Sequence, residues 1–472
     1  MGRSWPNCVR LVGSHAQRAV ASRVRIRTLL ALGLAITIGL ALTRTVFASG
    51  VISPLLRDAV DYLKTRGILP LWIGATRPIP PWDLQAALET ARSSTAQSSL
   101  AAPDLETLHW LLSNSGPTVA VEGITAAPFG VLRSYGMLSE SAASSRWALG
   151  WAVDSYAAEL AAKTDDLDFR AGRLTLGWGP TPAGAGLIFG ESAGGFDALQ
   201  LSFIWHRVRF TKVVGWFDAG RSIIGTRMDI PYRPNLRLGF SETVLMAGAP
   251  YLPYAVNPVP IGLNAYLWKL LRQPQGIDDN FFFGFDWEWV SRPGVRLFGE
   301  LLIDDFTVPT PTANFPSRWG LTLGFHSVSD RGSGVQAMYT IVPNWTYSAT
   351  NPALHYLLRD LPVGPVLGDD FDLIHVRWMP SNPPATSIWA TYIRKGEGMV
   401  GRIWTDEAEA RQYVFLRGVV EYSLVAGVDI PYATDGWTGT VGPWLAYRTN
   451  ADHVTGATRL DWGISLSATV AY

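Results

Sequence analysis

The last twelve residues of the chain alternate between apolar and small or polar side chains, and this pattern restricts the available folds more than any other feature. Alternation with a period of two residues is typical of a β-strand whose two faces meet different environments. It recurs at 281–289, 295–304 and 374–378. At the C-terminus the apolar face carries Trp462, Ile464, Leu466, Ala468, Val470 and Tyr472, and the other face carries Asp461, Gly463, Ser465, Ser467, Thr469 and Ala471.

The composition indicates that these strands meet lipid. Only 17% of the 472 residues are charged, 48% are hydrophobic and 20 are Trp, whereas an ordinary soluble domain has about 25% charged residues. Past residue 48, no apolar run reaches the ~18–20 residues that a membrane helix needs. A closed barrel is the remaining membrane solution, because lipid tolerates no unpaired strand edge. The sequence therefore predicts an all-β, antiparallel transmembrane barrel over 118–472, with about 16–18 strands.

The spacing of the connections supports the barrel over a soluble β-sandwich or propeller, which would also show alternation. Short and long connections alternate through the second half of the chain, as short periplasmic turns and long external loops do in outer-membrane barrels. We expect short turns at 291–294, 330–334, 380–384 and 431–437, and long connections at 250–279, 307–318, 343–370 and 396–411.

The N-terminal segment 1–48 predicts export. It contains seven Arg and no Lys, Asp or Glu, and its apolar run from Leu29 to Leu42 is followed by Val46-Phe47-Ala48, a site for a signal peptidase. We expect a secretory signal peptide and an outer-membrane location; an uncleaved anchor is the alternative. Cys8, the only cysteine, lies in this segment, so thiolate metal sites are not expected. Without segment 1–48 the chain has 32 basic and 39 acidic residues. This acidic balance argues against a nucleic-acid partner.

Residues 50–115 read as a small helical domain. Pro54 follows Ser53 as at a helix start, apolar residues recur at helical spacing through Leu63, and Gly67 ends the pattern. Two further helices are expected after Pro81 and Pro103. An even number of strands would place this domain in the periplasm, beside the C-terminus of the barrel.

Charged residues on two neighbouring strands form the first candidate site. They occupy the face opposite the apolar one, so they should point into the lumen and pair across strands. Two interpretations stay open, namely a structural network that fills the lumen and a surface that faces a glycan or an ion. The residues are Asp286, Glu288, Arg296, Glu300 and Asp304.

Aromatic residues in the long connections form the second candidate site, for a glycan. Sugar rings have apolar C–H faces that stack on aromatic rings. The alternative is an interfacial girdle or the interior of the loops, where Trp and Tyr also collect. HExxH does not occur, although residues 190–194 have the GxSxG spacing, and we expect no enzymatic activity, no metal and no cofactor. The aromatic candidates are Tyr266, Trp268, Trp345, Tyr347, Tyr356 and Trp404.

The order of several strand motifs resembles the Wzi-type capsule assembly family. The segments are DFRAGRLTLGWGP at 168–180, LRLGFSETV at 236–244 and VRLFGELLIDD at 295–305. The resemblance implies an outer-membrane barrel of about 18 strands with a periplasmic helical bundle. It also implies a lectin-like role in holding capsular polysaccharide at the cell surface.

The helical segment departs from this family. Residues 58–67, 77–78 and 84–88 partly resemble an S-layer homology half-repeat, although its usual TRAE-like sequence is missing. That resemblance implies cell-wall polymer as a further partner. The leading expectation is a non-enzymatic outer-membrane protein that binds or anchors surface polysaccharide and assists capsule assembly. The alternative is a diffusion porin for small solutes, which would need an open lumen.

Overall fold

The structure is a computed structural model in which most described residues belong to one large antiparallel sheet. None of the described helices is long and apolar enough to cross a bilayer. The described residues are 46–47, 54–77, 79, 81–93, 100–114, 118–121, 137–141, 144–150, 159–163, 167–191, 193–218, 220–256, 278–305, 317–403, 415–434 and 437–471.

The strands of the described residues become long and regular from residue 196 onward. Most of the later ones span nine to fourteen residues. The strands are β1 (Val46–Phe47), β2 (Thr76–Arg77), β3 (Thr118–Val121), β4 (Met137–Ser141), β5 (Ser144–Gly150), β6 (Glu159–Lys163), β7 (Leu167–Leu174), β8 (Gly177–Trp178), β9 (Phe196–Trp205), β10 (Val208–Asp218), β11 (Arg221–Arg233), β12 (Leu236–Ala247), β13 (Asp279–Arg292), β14 (Val295–Asp305), β15 (Arg318–Val328), β16 (Gly334–Val342), β17 (Leu357–Leu358), β18 (Leu361–Pro362), β19 (Phe371–Met379), β20 (Ser387–Lys395), β21 (Glu421–Thr434), β22 (Trp437–Thr449) and β23 (Thr458–Ala471).

The large sheet closes into a barrel. From β9 to β16 each strand pairs antiparallel with the next, β16 then pairs with β19, and the run continues to β23. At one end of this run β23 pairs with β3 and β4, and β4 pairs with β5; at the other end β9 pairs with β7, and β7 with β6. Among the described residues the sheet has 19 strands, one of which is the two-residue β1. This confirms the antiparallel barrel, and the count without β1 is 18, the upper limit of the predicted range.

The predicted alternation corresponds to an outward and an inward face. On β23, Ile464 and Leu466 are about half exposed, while Gly463 on the same strand is buried. On β19, Ile374 and Val376 are exposed and His375 between them is half-buried. Outward side chains are apolar because this surface would meet hydrocarbon. Inward side chains pack against the parts of the chain that lie in the lumen.

The barrel has two distinct ends. We call the end with the brief connections 293–294, 329–333, 380–386 and 435–436 the short-turn end, and the opposite end the long-loop end. These connections lie where the sequence predicts short turns, except that 431–434 belong to β21 and Trp437 begins β22. The strand ends also place long connections between β12 and β13, β14 and β15, β16 and β19, and β20 and β21.

Among the described residues, three α-helices come before β3 and a fourth lies in a connection. The first three pack through a shared apolar core that includes Leu63, Leu88 and Leu108 and reaches Val328 at the short-turn end of β15. Gly67, at φ +75°, ends the first helix with the left-handed residue that often follows a helix. The helices are α1 (Pro54–Thr65), α2 (Pro81–Ser93), α3 (Ala102–Asn114) and α4 (Leu252–Val256).

The signal peptide stays a prediction. The described part of the segment 1–48 is β1, where Val46 and Phe47 pair with Ala161 and Leu160 of β6. Cleavage after Ala48 would remove this two-residue strand and leave the other barrel strands in place.

Candidate functional site

The inward face of β11–β14 carries a connected set of charged side chains. Arg227 donates to Asp286 at 2.7 Å and to Asp229 at 2.8 Å. Arg237, on the next strand, donates to the same Asp229 at 2.9 Å and also to Asp286. Because the side chains on one face of neighbouring strands lie side by side, alternate residues of three strands converge on one layer inside the barrel.

Helix α1 completes this layer from inside the lumen. Lys64 lies 2.9 Å from the Glu288 carboxylate, which also accepts a hydrogen bond from Arg296 at 2.9 Å. Arg296 in turn donates to Asp61 of α1 at 2.8 Å. The N-terminal helix is thus joined by ion pairs to β13 and β14, more than 220 residues later in the chain.

The eight charges of this layer balance, and their burial makes that balance necessary. Taking a charge out of water is unfavourable unless partners replace the lost hydration. Burial alone would raise the pKa of the Asp61 carboxyl, but Arg296 and Lys64 hold that pKa below its usual range. We call this set the lumen network; its four cations are Lys64, Arg227, Arg237 and Arg296, and its four acids are Asp61, Asp229, Asp286 and Glu288.

Other contacts join α1 to strands farther along the barrel and to the turn before β14. Asp58 accepts two hydrogen bonds from the guanidinium of Arg377, at 2.6 and 2.7 Å. Thr65, at the end of the helix, lies 2.8 Å from His326 Nδ1, and its carbonyl accepts from the Gly294 amide. Helix α1 therefore lies across the short-turn end, with one face in the helical core and the other in the barrel.

A second segment, 175–195, fills the lumen between β7 and β9. It starts at the long-loop end, and within it β8 pairs with β2 of the helical domain. Glu300 fixes this segment, because its carboxylate accepts from the Thr181 hydroxyl at 2.6 Å and from the Leu187 amide at 3.0 Å. Gly179 has φ +102°, a conformation that favours glycine, and an added Cβ atom would displace the Glu300 carboxylate from Thr181 and Leu187.

A third segment, 343–370, folds inward from the long-loop end. Asp304 accepts from the Tyr347 amide at 2.7 Å, and the Tyr347 hydroxyl donates to the Leu187 carbonyl at 2.6 Å. The Gly190 amide donates to the Val363 carbonyl at 2.9 Å. The two inward segments thus pack directly against each other, and their apolar residues form the largest buried core of the described chain.

The structure brings the five predicted lumen residues to three different contacts. Asp286, Glu288 and Arg296 belong to the lumen network, whereas Glu300 holds segment 175–195 and Asp304 holds segment 343–370. All five are buried, and each contacts the chain's own residues.

Three of the six aromatic candidates lie in the loop interior. Trp345 and Tyr347 are each 1% exposed, and Tyr356 is fully buried. Tyr347 and Tyr356 stack with their ring centroids 5.7 Å apart, and Tyr356 packs on Phe282 at 4.3 Å. A ring with no exposed face has no room to stack on a sugar, so in this conformation these three have the interior role that was the alternative. Tyr266, Trp268 and Trp404 lie outside the described residues.

The sequence did not reveal that charged residues of the helical segment pair with the inner wall of the barrel. Asp58, Asp61 and Lys64 occupy the polar side of α1, which looks like a solvated face in the sequence alone. Arg227 and Arg237 were also missed, although their alternation with apolar neighbours was a usable signal. The glycines of 179–190 were a further signal, because they permit close approach of two backbones.

Comparisons with known proteins agree with this architecture. No protein-family model and no curated relative matches the sequence. Among solved structures, the chain is similar to Wzi of Escherichia coli, described as an outer-membrane protein involved in group 1 capsule assembly and a carbohydrate-binding β-barrel. The TM-score is 0.58 at 14% identity, over 91% of this chain and 99% of that one.

Two Pseudomonas aeruginosa barrels are more distant. OccK5 gives a TM-score of 0.36 at 11% identity, over 69% of this chain and 82% of its own. OprD gives 0.37 at 9% identity, over 69% and 79%. Scores this low carry no argument about this chain, whereas the likeness to Wzi shows that the chain has the fold of an outer-membrane β-barrel.

Proposed function

We propose that this chain is a non-enzymatic outer-membrane protein that binds surface polysaccharide at its long-loop end and assists capsule assembly. The observation that carries the proposal is the filled lumen. Helix α1 and the segments 175–195 and 343–370 occupy it with buried, paired groups. A diffusion porin needs a continuous water-filled path, whereas a surface anchor works with a closed barrel.

The proposal also draws on what the most similar of the reported structures is said to do. That protein is described as carbohydrate binding, and its fold extends over nearly all of both chains. In our proposal the short-turn end and the helical domain face the periplasm, and the long-loop end faces outward, as in other outer-membrane barrels. A contact of the helical domain with cell-wall polymer rests on the partial sequence resemblance alone.

The test pairs conductance with polysaccharide binding. The full-length protein is inserted into planar bilayers. In a separate experiment, vesicles that carry the protein are incubated with polysaccharide from the cells that produce the protein. We expect no steady open channel and salt-resistant retention of the polysaccharide on protein-bearing vesicles, compared with empty vesicles. A steady conductance with solute uptake and no retention would instead support the porin.

A further inference from the structure

Three neighbouring hairpins at the short-turn end share an arrangement of exposed side chains. The hairpins are β9–β10, β11–β12 and β13–β14, which follow one another in the sheet. Each has an exposed arginine in or beside its turn, and an exposed aromatic residue one to three positions before that arginine. We call these six residues the turn patch; they are Trp205, Arg207, Tyr232, Arg233, Trp289 and Arg292.

The arginines of the turn patch differ from the inward cations of the same strands. Arg209, two residues after Arg207, donates to Asp83 of α2 at 2.7 Å, and Arg237 and Arg296 belong to the lumen network. By contrast, no ion pair in the described part of the chain reaches an arginine of the turn patch. The sequences of the three turns, 206–207, 233–235 and 291–294, contain no acidic residue. The described chain therefore supplies these three charges with no counter-charge.

The positive charge is confined to this sector of the short-turn end. On one side, the next turn carries Arg331 but also Asp330, which pairs with Arg66 at 2.8 Å. Farther along, the connection 380–386 contains no charged residue. On the other side, the sequence between β6 and β7 contains Asp165 and Asp166. The three arginines thus form a cationic sector between stretches that are neutral or acidic.

Backbone contacts hold the turns of this sector in place. The Asn235 side-chain amide donates to the Val290 carbonyl at 3.0 Å, and the Val290 amide donates to the Asn235 carbonyl at 2.9 Å. His206 and Arg207 form a two-residue turn with φ of +50° and +80°, which Asn-Gly would adopt more easily. Turns two strands apart lie ~10 Å from each other. The arginines are therefore carried in a row along the rim of the barrel.

The aromatic members of the turn patch indicate what surrounds it. Trp205 and Tyr232 are 62% and 60% exposed, and in barrels such rings collect where hydrocarbon meets the lipid headgroups. The arginines lie one to three residues nearer the end of the barrel, which is at most ~10 Å farther along the strand. The Arg233 guanidinium lies over the Tyr232 ring, 5.6 Å from its centroid. A guanidinium at headgroup level can bind a phosphate through two parallel hydrogen bonds.

We propose that the turn patch binds the phosphate groups of anionic phospholipids in the leaflet around the short-turn end. A free phosphate ion would satisfy the guanidinium groups but would leave the exposed rings without a role, whereas a lipid contacts both. With the orientation given under the proposed function, this leaflet is the periplasmic one. Lipid binding at this end does not depend on polysaccharide binding at the other, so either can fail alone.

Lipid titration of the folded, full-length protein in neutral detergent tests the proposal. The probes are phosphatidylglycerol and phosphatidylcholine that carry the same fluorescent label on one tail, and phosphatidylglycerol should bind more tightly. An arginine near a membrane surface contributes about fivefold to the binding of anionic lipid. A triple variant with Arg207→Gln, Arg233→Gln and Arg292→Gln should therefore bind phosphatidylglycerol roughly 100-fold more weakly and phosphatidylcholine as before. Lysine at the same three positions should restore most of the difference.

The matched control removes three cations from the long-loop end, through Arg173→Gln, Arg359→Gln and Arg402→Gln. It changes the net charge equally and should alter lipid binding less than twofold. All variants must first show the heat-modifiable gel mobility of a folded barrel. Equal binding of the two lipids, a loss below threefold in the turn-patch variant, or an equal loss in the control overturns the proposal. Displacement of phosphatidylglycerol by millimolar inorganic phosphate also overturns it, because the patch would then be a site for a free anion.

Discussion

Glu288→Gln should release helix α1 from the lumen. Glu288 is fully buried and accepts from Lys64, Arg237 and Arg296, at 2.9 to 3.2 Å. The amide keeps the shape of the side chain but loses its charge and turns an NH₂ group toward the cations. Removing one partner of a buried ion pair costs about 3–5 kcal/mol. At 1.4 kcal/mol per factor of ten, the opening equilibrium of the helix should rise roughly 100- to several-thousand-fold.

Hydrogen exchange of the α1 amides measures this opening directly. Local opening limits the exchange of protected amides, so their rates should rise by the same factor in the variant. Asp197→Asn is the matched control, because Asp197 makes the same kind of ion pair with Arg173 but is largely exposed. Exposed pairs contribute about 0–1 kcal/mol, so this variant should leave α1 unchanged.

A double-mutant cycle with Lys64→Met separates the pair from general damage to the wall. The two substitutions should be less than additive, since each removes the same contact. If α1 in Glu288→Gln exchanges within threefold of the wild-type rate, or if the cycle shows no coupling, the lumen network does not hold the helix and our account of the filled lumen is wrong.

Three further predictions concern other parts of the molecule. Leu466→Arg should block assembly, because a charge at the bilayer midplane costs roughly 2–4 kcal/mol. Ser465→Arg, on the lumen face, should have a milder effect. The yield of each variant in the outer membrane measures both effects. Trp345→Ala should lower the stability of the long-loop end by about 3–5 kcal/mol, rather than abolish glycan binding alone. Limited proteolysis and a binding assay on the same sample distinguish the two outcomes. Burial raises the pKa of the Asp369 carboxyl to about 7; Lys395 opposes the rise and Asp370 adds to it. The folded state then holds a proton that the unfolded segment has lost, so stability falls from about pH 4 to pH 7 and levels off above. Protease cleavage of 343–370 should increase over that range, and Asp369→Asn should remove the pH dependence.

Alternation along the sequence was enough to predict the barrel, its connections and the inward direction of its charges. Ile374, Val376 and Leu466 are exposed where the pattern places them on the outside, and Glu288 and Arg296 are buried inside. This works because one strand register decides the direction of every side chain on that strand. The helices were predictable for a similar reason, since their apolar residues recur at a fixed spacing.

The contents of the lumen were not predictable in this way. A polar face on a short helix looks the same whether it meets water or a charged wall, and the partner of Asp58 lies 319 residues away, at Arg377. The position of an aromatic residue in a long connection likewise does not reveal the direction in which that connection folds. Trp345 and Tyr356 look like exposed loop residues in the sequence and are buried in the structure.

The pairing of β2 with β8 has a consequence for the order of assembly. Helix α1 and β2 precede every long strand of the described chain, so they are synthesised before the wall that holds them. Arg77 pairs across to Gly177, and Lys64 to Glu288, only after those strands have arrived. Contacts between residues so far apart in sequence form slowly. Until then Asp58, Asp61 and Lys64 have no charged wall to pair with, so the polar side of α1 gains these partners only when the later strands are present.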